Sequence, residues 1–182
     1  SCENYPSKIL KKNIITNFDE LSNDIKVLIF ESEKKSQTKI NSINLNLPTI
    51  DSISRYYNSE IDNLDNKITE LDIKKAINNS EYFSVDDNYY EIFNNINAYF
   101  LDNNLIYNSP VGNYASKMKI LFYKILIPNK NLKSYKNLID NLKISIDSYV
   151  PSPLSSSLAT LSNDEKNIGT ICIDLGHSNT SI

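Results

Sequence analysis

The residues with the clearest chemical potential lie together near the end of the chain, in Gly169-Thr-Ile-Cys-Ile-Asp174-Leu-Gly176-His177-Ser178-Asn179-Thr180. An apolar run delivers an aspartate, and a glycine with small polar residues follows at once. A carboxylate so placed can hold a hydrated Mg²⁺ through water. Gly176 lets the backbone come close to a phosphate. The hydroxyl and N–H groups beyond it can donate to phosphate oxygens. The same pattern also serves a plain structural turn that Asp174 stabilises, and the motif by itself leaves both readings open. His177 is the only histidine, readable as a phosphate donor or as an exposed loop residue. Its solitude rules out a His-based triad or a multi-His metal site within this chain.

The other reactive types carry less. Cys2 and Cys172 are too far apart in sequence to suggest a metal motif or a disulfide framework. Cys172 reads as core of an apolar strand, with no basic group placed to activate its thiol. Asp86-Asp87 reads as a solvated turn. Tyr82, Tyr89, Tyr90 and Tyr99 read as core filling with hydroxyls at the rim. No carboxylate pair is marked for acid/base work.

Composition bounds the class. The chain has 182 residues, 40% of them hydrophobic and 23% charged, which suffices for a packed core. Its net charge of −3 speaks against a basic nucleic-acid surface. Three glycines are few for a complete nucleotide-binding domain. Abundant Asn, Ile, Lys and Tyr fit A+T-rich codon usage. Low cysteine content fits a reducing cytoplasm. No apolar run approaches the roughly 20 residues that span a bilayer. The polar start without Met, and the stop just after the Asp174 motif, lead us to expect an internal piece of a longer polypeptide.

The elements that must position the motif follow from periodicity and caps. Residues 8–16 read as a strand or strand pair. Asn17, with Glu20 three residues on, caps a helix running to about Lys35, with Phe18, Leu21, Ile25, Leu28 and Ile29 on one face. Residues 43–47 alternate as a strand closed by Pro48. A second strand is expected at 50–57 and a polar loop at 58–66. Thr69-Glu-Leu-Asp72 caps a short helix ending near Asn79. Tyr90 to Leu101 contains a strand, Asp102-Asn103-Asn104 a turn, and 118–127 a long strand closed by Pro128. Ser134 to Lys143 reads as an amphipathic helix, 144–150 as a strand and 155–161 as a small-residue helix. Residues 163–167 read as a polar loop, and Ile168 to Leu175 as an apolar strand buried on both faces. This order describes an α/β chain with an inserted α+β module.

The Asp174 motif resembles the phosphate loops of the actin superfamily, and the residues around it resemble the FtsA cell-division family. Leu158-Ala-Thr-Leu-Ser-Asn-Asp164-Glu165-Lys166-Asn-Ile-Gly169 is similar to that family's run from a small-residue helix, through an acidic loop, to the strand bearing its second phosphate loop. Asn108-Ser-Pro110-Val111-Gly112 resembles its Asp-Pro-Val-Gly turn, Tyr99-Phe-Leu-Asp102 the strand end before that turn, and Thr69-Glu-Leu-Asp72 a Thr-Glu helix start. The resemblance implies a partial actin-like (ribonuclease-H-like) fold. Residues 1–49 and 129–167 would form subdomain 1A, 50–128 an inserted subdomain 1C peculiar to the family, and 168–182 the start of the second actin-like half. It implies ATP with Mg²⁺ at Asp174, Gly176, His177, Ser178, Asn179 and Thr180, with Asp174 reaching the metal through water. His177 and Ser178 stand where the family usually has glycine, and Asn179 where it has threonine. Side chains there crowd a phosphate or force another loop conformation, so at most a weak ATPase is expected. The implied role is a scaffold at the cytoplasmic face of the inner membrane. It would self-associate into actin-like filaments, tether FtsZ through a C-terminal membrane helix outside this chain, and recruit later division proteins. The alternatives are a different actin-like ATPase, such as a heat-shock chaperone or sugar kinase, or a pilus-assembly scaffold.

Overall fold

The computed structural model describes residues 10–11, 14–62, 67–81, 87–176 and 180–182. Along the chain, β1 (Leu10–Lys11) and β2 (Ile14–Ile15) pair antiparallel. Helix α1 (Phe18–Ser36) starts at Asn17, whose extended backbone lets its side-chain oxygen accept the Glu20 N–H at 3.2 Å. Glu20 answers through Asn17 Nδ2 at 3.0 Å, so the box closes between side chains. Strand β3 (Ser42–Leu47) and the long β4 (Ile53–Asp62) follow. Helix α2 (Glu70–Glu81) is capped reciprocally: Thr69 donates its N–H and hydroxyl to Asp72 Oδ2 at 3.0 and 2.7 Å, and its hydroxyl accepts the Asp72 N–H at 3.4 Å. Strands β5 (Tyr89–Leu101) and β6 (Asn104–Ile106) join through Asp102 and Asn103, both at positive φ, as the tightest hairpin turns require. Then come β7 (Lys117–Pro128), α3 (Asn129–Asp140), β8 (Ser145–Pro151), α4 (Ser152–Thr160), α5 (Asn163–Ile168), β9 (Asp174–Leu175) and β10 (Thr180–Ser181). The chain is thus a mixed α/β fold.

Contacts divide it into two compact units, Ser1–Ile50 with Asn129–Ile182, and Asp51–Pro128. In the first, β3 and β8 run parallel from Ser42↔Ser145 to Leu47↔Pro151. Ser145 Oγ donates to the Asn41 carbonyl at 3.1 Å and Ser148 Oγ to Asn44 Oδ1 at 2.6 Å, reinforcing the ladder with side chains. Helix α1 meets α3 through buried Leu21 and Leu138, with Phe18 and Ile25 packed beside them. Phe18, Leu21 and Ile25 fall on one helical face because their spacing follows the 3.6-residue turn.

The second unit is a four-stranded antiparallel sheet in the order β4-β7-β5-β6. Strand β7 alternates up to Leu126, and Met118, Ile120 and Phe122 are buried with Ala76 of α2, Ile68 and Leu101. Lys124 continues that buried series at 2% exposure. Its ammonium reaches Glu91 Oε2 at 2.8 Å and lies 5.6 Å from the centre of the Tyr57 ring, which compensates a charge that burial would otherwise penalise. The turn at Pro110–Asn113 docks on this core: Gly112, at φ 86, donates its N–H to the Ile68 carbonyl at 2.9 Å.

Several expectations are corrected. Residues 58–62 are not loop but the second half of β4, because they pair with β7 down to Asp62↔Lys117 and Lys117 bridges Glu60 and Asp62. Helix α3 starts at Asn129, directly after Pro128, not at Ser134, and ends at Asp140. Residues 163–167 form most of α5, because Ser162 and Glu165 close a reciprocal capping box. The buried strand expected at 168–175 shrinks to Asp174–Leu175. Ile168, Ile171 and Leu175 are about four-fifths exposed. An extended apolar segment becomes a sheet strand only where another backbone pairs with it, and among the described residues only β10 does so. Cys172 is consequently half-buried, outside any strand.

The Thr69 hydroxyl and N–H hold the Asp72 carboxyl below its ordinary value. The unfolded state therefore binds the proton first as pH falls, and stability from this cap is full above the ordinary carboxylate pKa and disappears as pH drops through the lowered one. We expect Asp72→Asn to lower the thermal midpoint at neutral pH, with the gap from the parent protein closing in acid. Parallel melts across that range check it.

Candidate functional site

The site is built where β8 hands over to α4. Pro151 ends the strand in extended geometry, and Pro153 in the first turn of α4 suits the helix start. This helix is rich in serine, a poor choice for a helix interior because hydroxyls compete for backbone partners. Here several of the hydroxyls have work outside the helix. Ser152 Oγ donates to the Leu47 carbonyl at 2.9 Å and Ser155 Oγ to Asn46 Oδ1 at 3.2 Å, both at the carboxyl end of β3. One position on, Ser156 Oγ donates to Asp174 Oδ2 at 2.9 Å.

Asp174 is half-buried in β9, opposite Ser181 of β10, with Leu175 opposite Thr180. Gly176, next to β9, and Thr180 of β10 are exposed. His177, Ser178 and Asn179, the other three residues singled out from the sequence, lie outside the described residues. So the structure brings Asp174 and Thr180 onto one antiparallel strand pair and ties the aspartate to the carboxyl ends of a parallel strand pair. Ligands of open parallel sheets bind beyond those strand ends. One carboxylate oxygen is held by Ser156, and the other has no hydrogen bond among the described residues. Among the described residues there is also no cluster of three or more His, Cys, Asp or Glu that could hold a metal directly.

Upstream, Glu165 accepts the Ser162 N–H at 2.8 Å and its hydroxyl at 2.7 Å, and those bonds lower its pKa. Gly169 then terminates α5 at φ 83, a conformation that side chains resist. The segment leading to Asp174 therefore leaves a well-capped helix.

Sequence reasoning missed Ser156. The signal was Ser155-Ser-Ser157 inside a short helix, an unfavourable run unless the hydroxyls are used. Its role carries a test. Ser156→Ala removes a hydrogen bond to a carboxylate in a partly buried place and is expected to cost about 1 kcal/mol. The Ser157 hydroxyl bonds, among the described residues, only back to the Pro153 carbonyl within its own helix, so Ser157→Ala is expected to be near neutral. Urea unfolding of both variants makes the comparison.

No family model matches the chain. It is similar to the cell division protein FtsA of Neisseria meningitidis serogroup B, with 23% identity over 97% of this chain and 43% of the relative. Against FtsA of Agrobacterium fabrum the identity is 22% over 97% of this chain and 40% of the relative. Against FtsA of Buchnera aphidicola subsp. Baizongia pistaciae it is 26% over 95% and 41%. The chain spans about two fifths of the length of these curated relatives. The likeness runs along nearly the whole chain rather than through the Asp174 motif alone, and it is to FtsA cell-division proteins that this chain is similar.

Proposed function

We propose that this chain is part of a cell-division scaffold of the FtsA kind. Residues 1–49 and 129–167 serve as subdomain 1A, 50–128 as the family's inserted subdomain, and 168–182 as the entry to the second actin-like half. The separate compactness of Asp51–Pro128 supports that reading. The observation that carries the proposal is the near-complete coverage of this chain by cell-division relatives from several lineages.

The residues present are chemically compatible with ATP and Mg²⁺. Asp174 keeps one carboxylate oxygen for a metal-bound water. The exposed Gly176 and Thr180 offer a backbone approach and a hydroxyl donor that suit a phosphate; His177, Ser178 and Asn179, proposed with them, lie outside the described residues. A bound Mg²⁺ would neutralise phosphate charge there. The protein's contribution is to hold Asp174 in place through Ser156. Side chains at 177 and 178 favour weak or structural nucleotide binding over rapid hydrolysis. The scaffold self-associates, tethers FtsZ to the inner membrane through a segment outside this chain, and recruits later division proteins.

The full-length polypeptide is expected to pellet with FtsZ filaments and to bind a fluorescent ATP analogue only with Mg²⁺. Asp174→Asn should weaken nucleotide binding about tenfold or more. Nucleotide binding without FtsZ co-sedimentation would favour another actin-like ATPase. Absence of both nucleotide binding and FtsZ co-sedimentation would overturn the proposal.

A further inference from the structure

A groove of about 340 Å³ opens where the last turns of α1 face the segment entering β8. It lies within the first compact unit and is remote in sequence from Asp174. Its wall is mixed, with Ile40 and Leu142 half-buried and the Phe30 ring 61% exposed as its apolar part. Phe30 thus offers an exposed aromatic face at the groove.

The rim is basic. Lys26, Lys39 and Lys143 line the groove, and Lys34 lines its continuation past Phe30. The one carboxylate among the lining residues, Glu33, is already engaged by the Ile40 N–H at 2.9 Å and by Lys39 at 3.5 Å. Lys26 and Lys143 have no ion-pair partner among the described residues. Lys143 sits at positive φ, just beyond the end of α3, which fixes its backbone at the mouth.

We propose that this groove docks an acidic peptide segment that seats an apolar side chain against Phe30. Lys26 and Lys143, without ion-pair partners among the described residues and beside an exposed aromatic ring, select negative charge around an apolar anchor. Electrostatic complementarity then supplies orientation and rate, while the buried anchor supplies most of the affinity. The groove is small, which suits one or two anchor side chains rather than a broad protein face, and its open lysines disfavour a basic or uncharged partner.

The test uses the full-length polypeptide and a fluorescein-labelled peptide rich in Glu and Asp with a central Leu-Phe pair. Fluorescence anisotropy should show saturable binding that weakens as salt rises. Replacing Leu-Phe by Ser-Ser in the peptide, or Phe30→Ala in the protein, should weaken it about tenfold. Lys26→Glu combined with Lys143→Glu should do the same or more. All three side chains are exposed, and unchanged thermal melts confirm that these variants fold. Equal binding of the Ser-Ser peptide, no loss in the charge-reversed variant, or preference for vesicles of anionic phospholipid over the peptide would each overturn the proposal.

Discussion

Strands β3 and β8 lie side by side and point the same way, although Asn44 and Ser148, bonded across them, are 104 residues apart. Parallel strands cannot be joined by a tight turn, because the chain must travel back before it can run in the same direction again. In this protein the return path includes α3 and the whole of Asp51–Pro128, which closes its own sheet and buries its own core. That self-sufficiency makes the long excursion tolerable, since closing a long loop adds only slowly to the entropic cost.

The same parallel pair organises the chemistry. Helix α4 follows β8 without a break and uses three neighbouring hydroxyls to reach Leu47, Asn46 and Asp174. Each bond is modest alone. Together they set the position of the aspartate relative to the strand ends. A carboxylate on a two-residue strand would otherwise rely on the short pairing with β10.

Asp51–Pro128 shows how a sheet can accept a charge in its core series. Lys124 occupies a position whose neighbours two and four residues back on β7 are Phe122 and Ile120. The Glu91 carboxylate and the Tyr57 ring meet the ammonium. Burial of such a pair gives little net stability over an apolar substitute. Its effect is on specificity, because a one-residue slip of β7 would turn Lys124 to the opposite face and strand Glu91.

Much of the local architecture was legible because the governing interactions are short-range. Asn17 and Thr69 cap helices through partners three residues away, and the alternation in β3 and β7 needs only the pleat. The Ser162–Glu165 box is equally local, yet the sequence reads as loop there, because the cue is hidden in a polar stretch too short for apolar periodicity. The remaining misses have non-local causes. Asn58, Ser59 and Glu60 look like loop until β7 pairs with them. Residues 168–173 look like buried strand, yet no backbone among the described residues pairs with them. Ser156 acquires a role only when α4 brings it against a residue 18 positions on. Sequence alone determined which side chains could cap, alternate or ligate, since those are properties of neighbours along the chain. Only tertiary structure decided which strands found partners and which carboxylate oxygen stayed free, since both depend on groups that folding brings together from far apart.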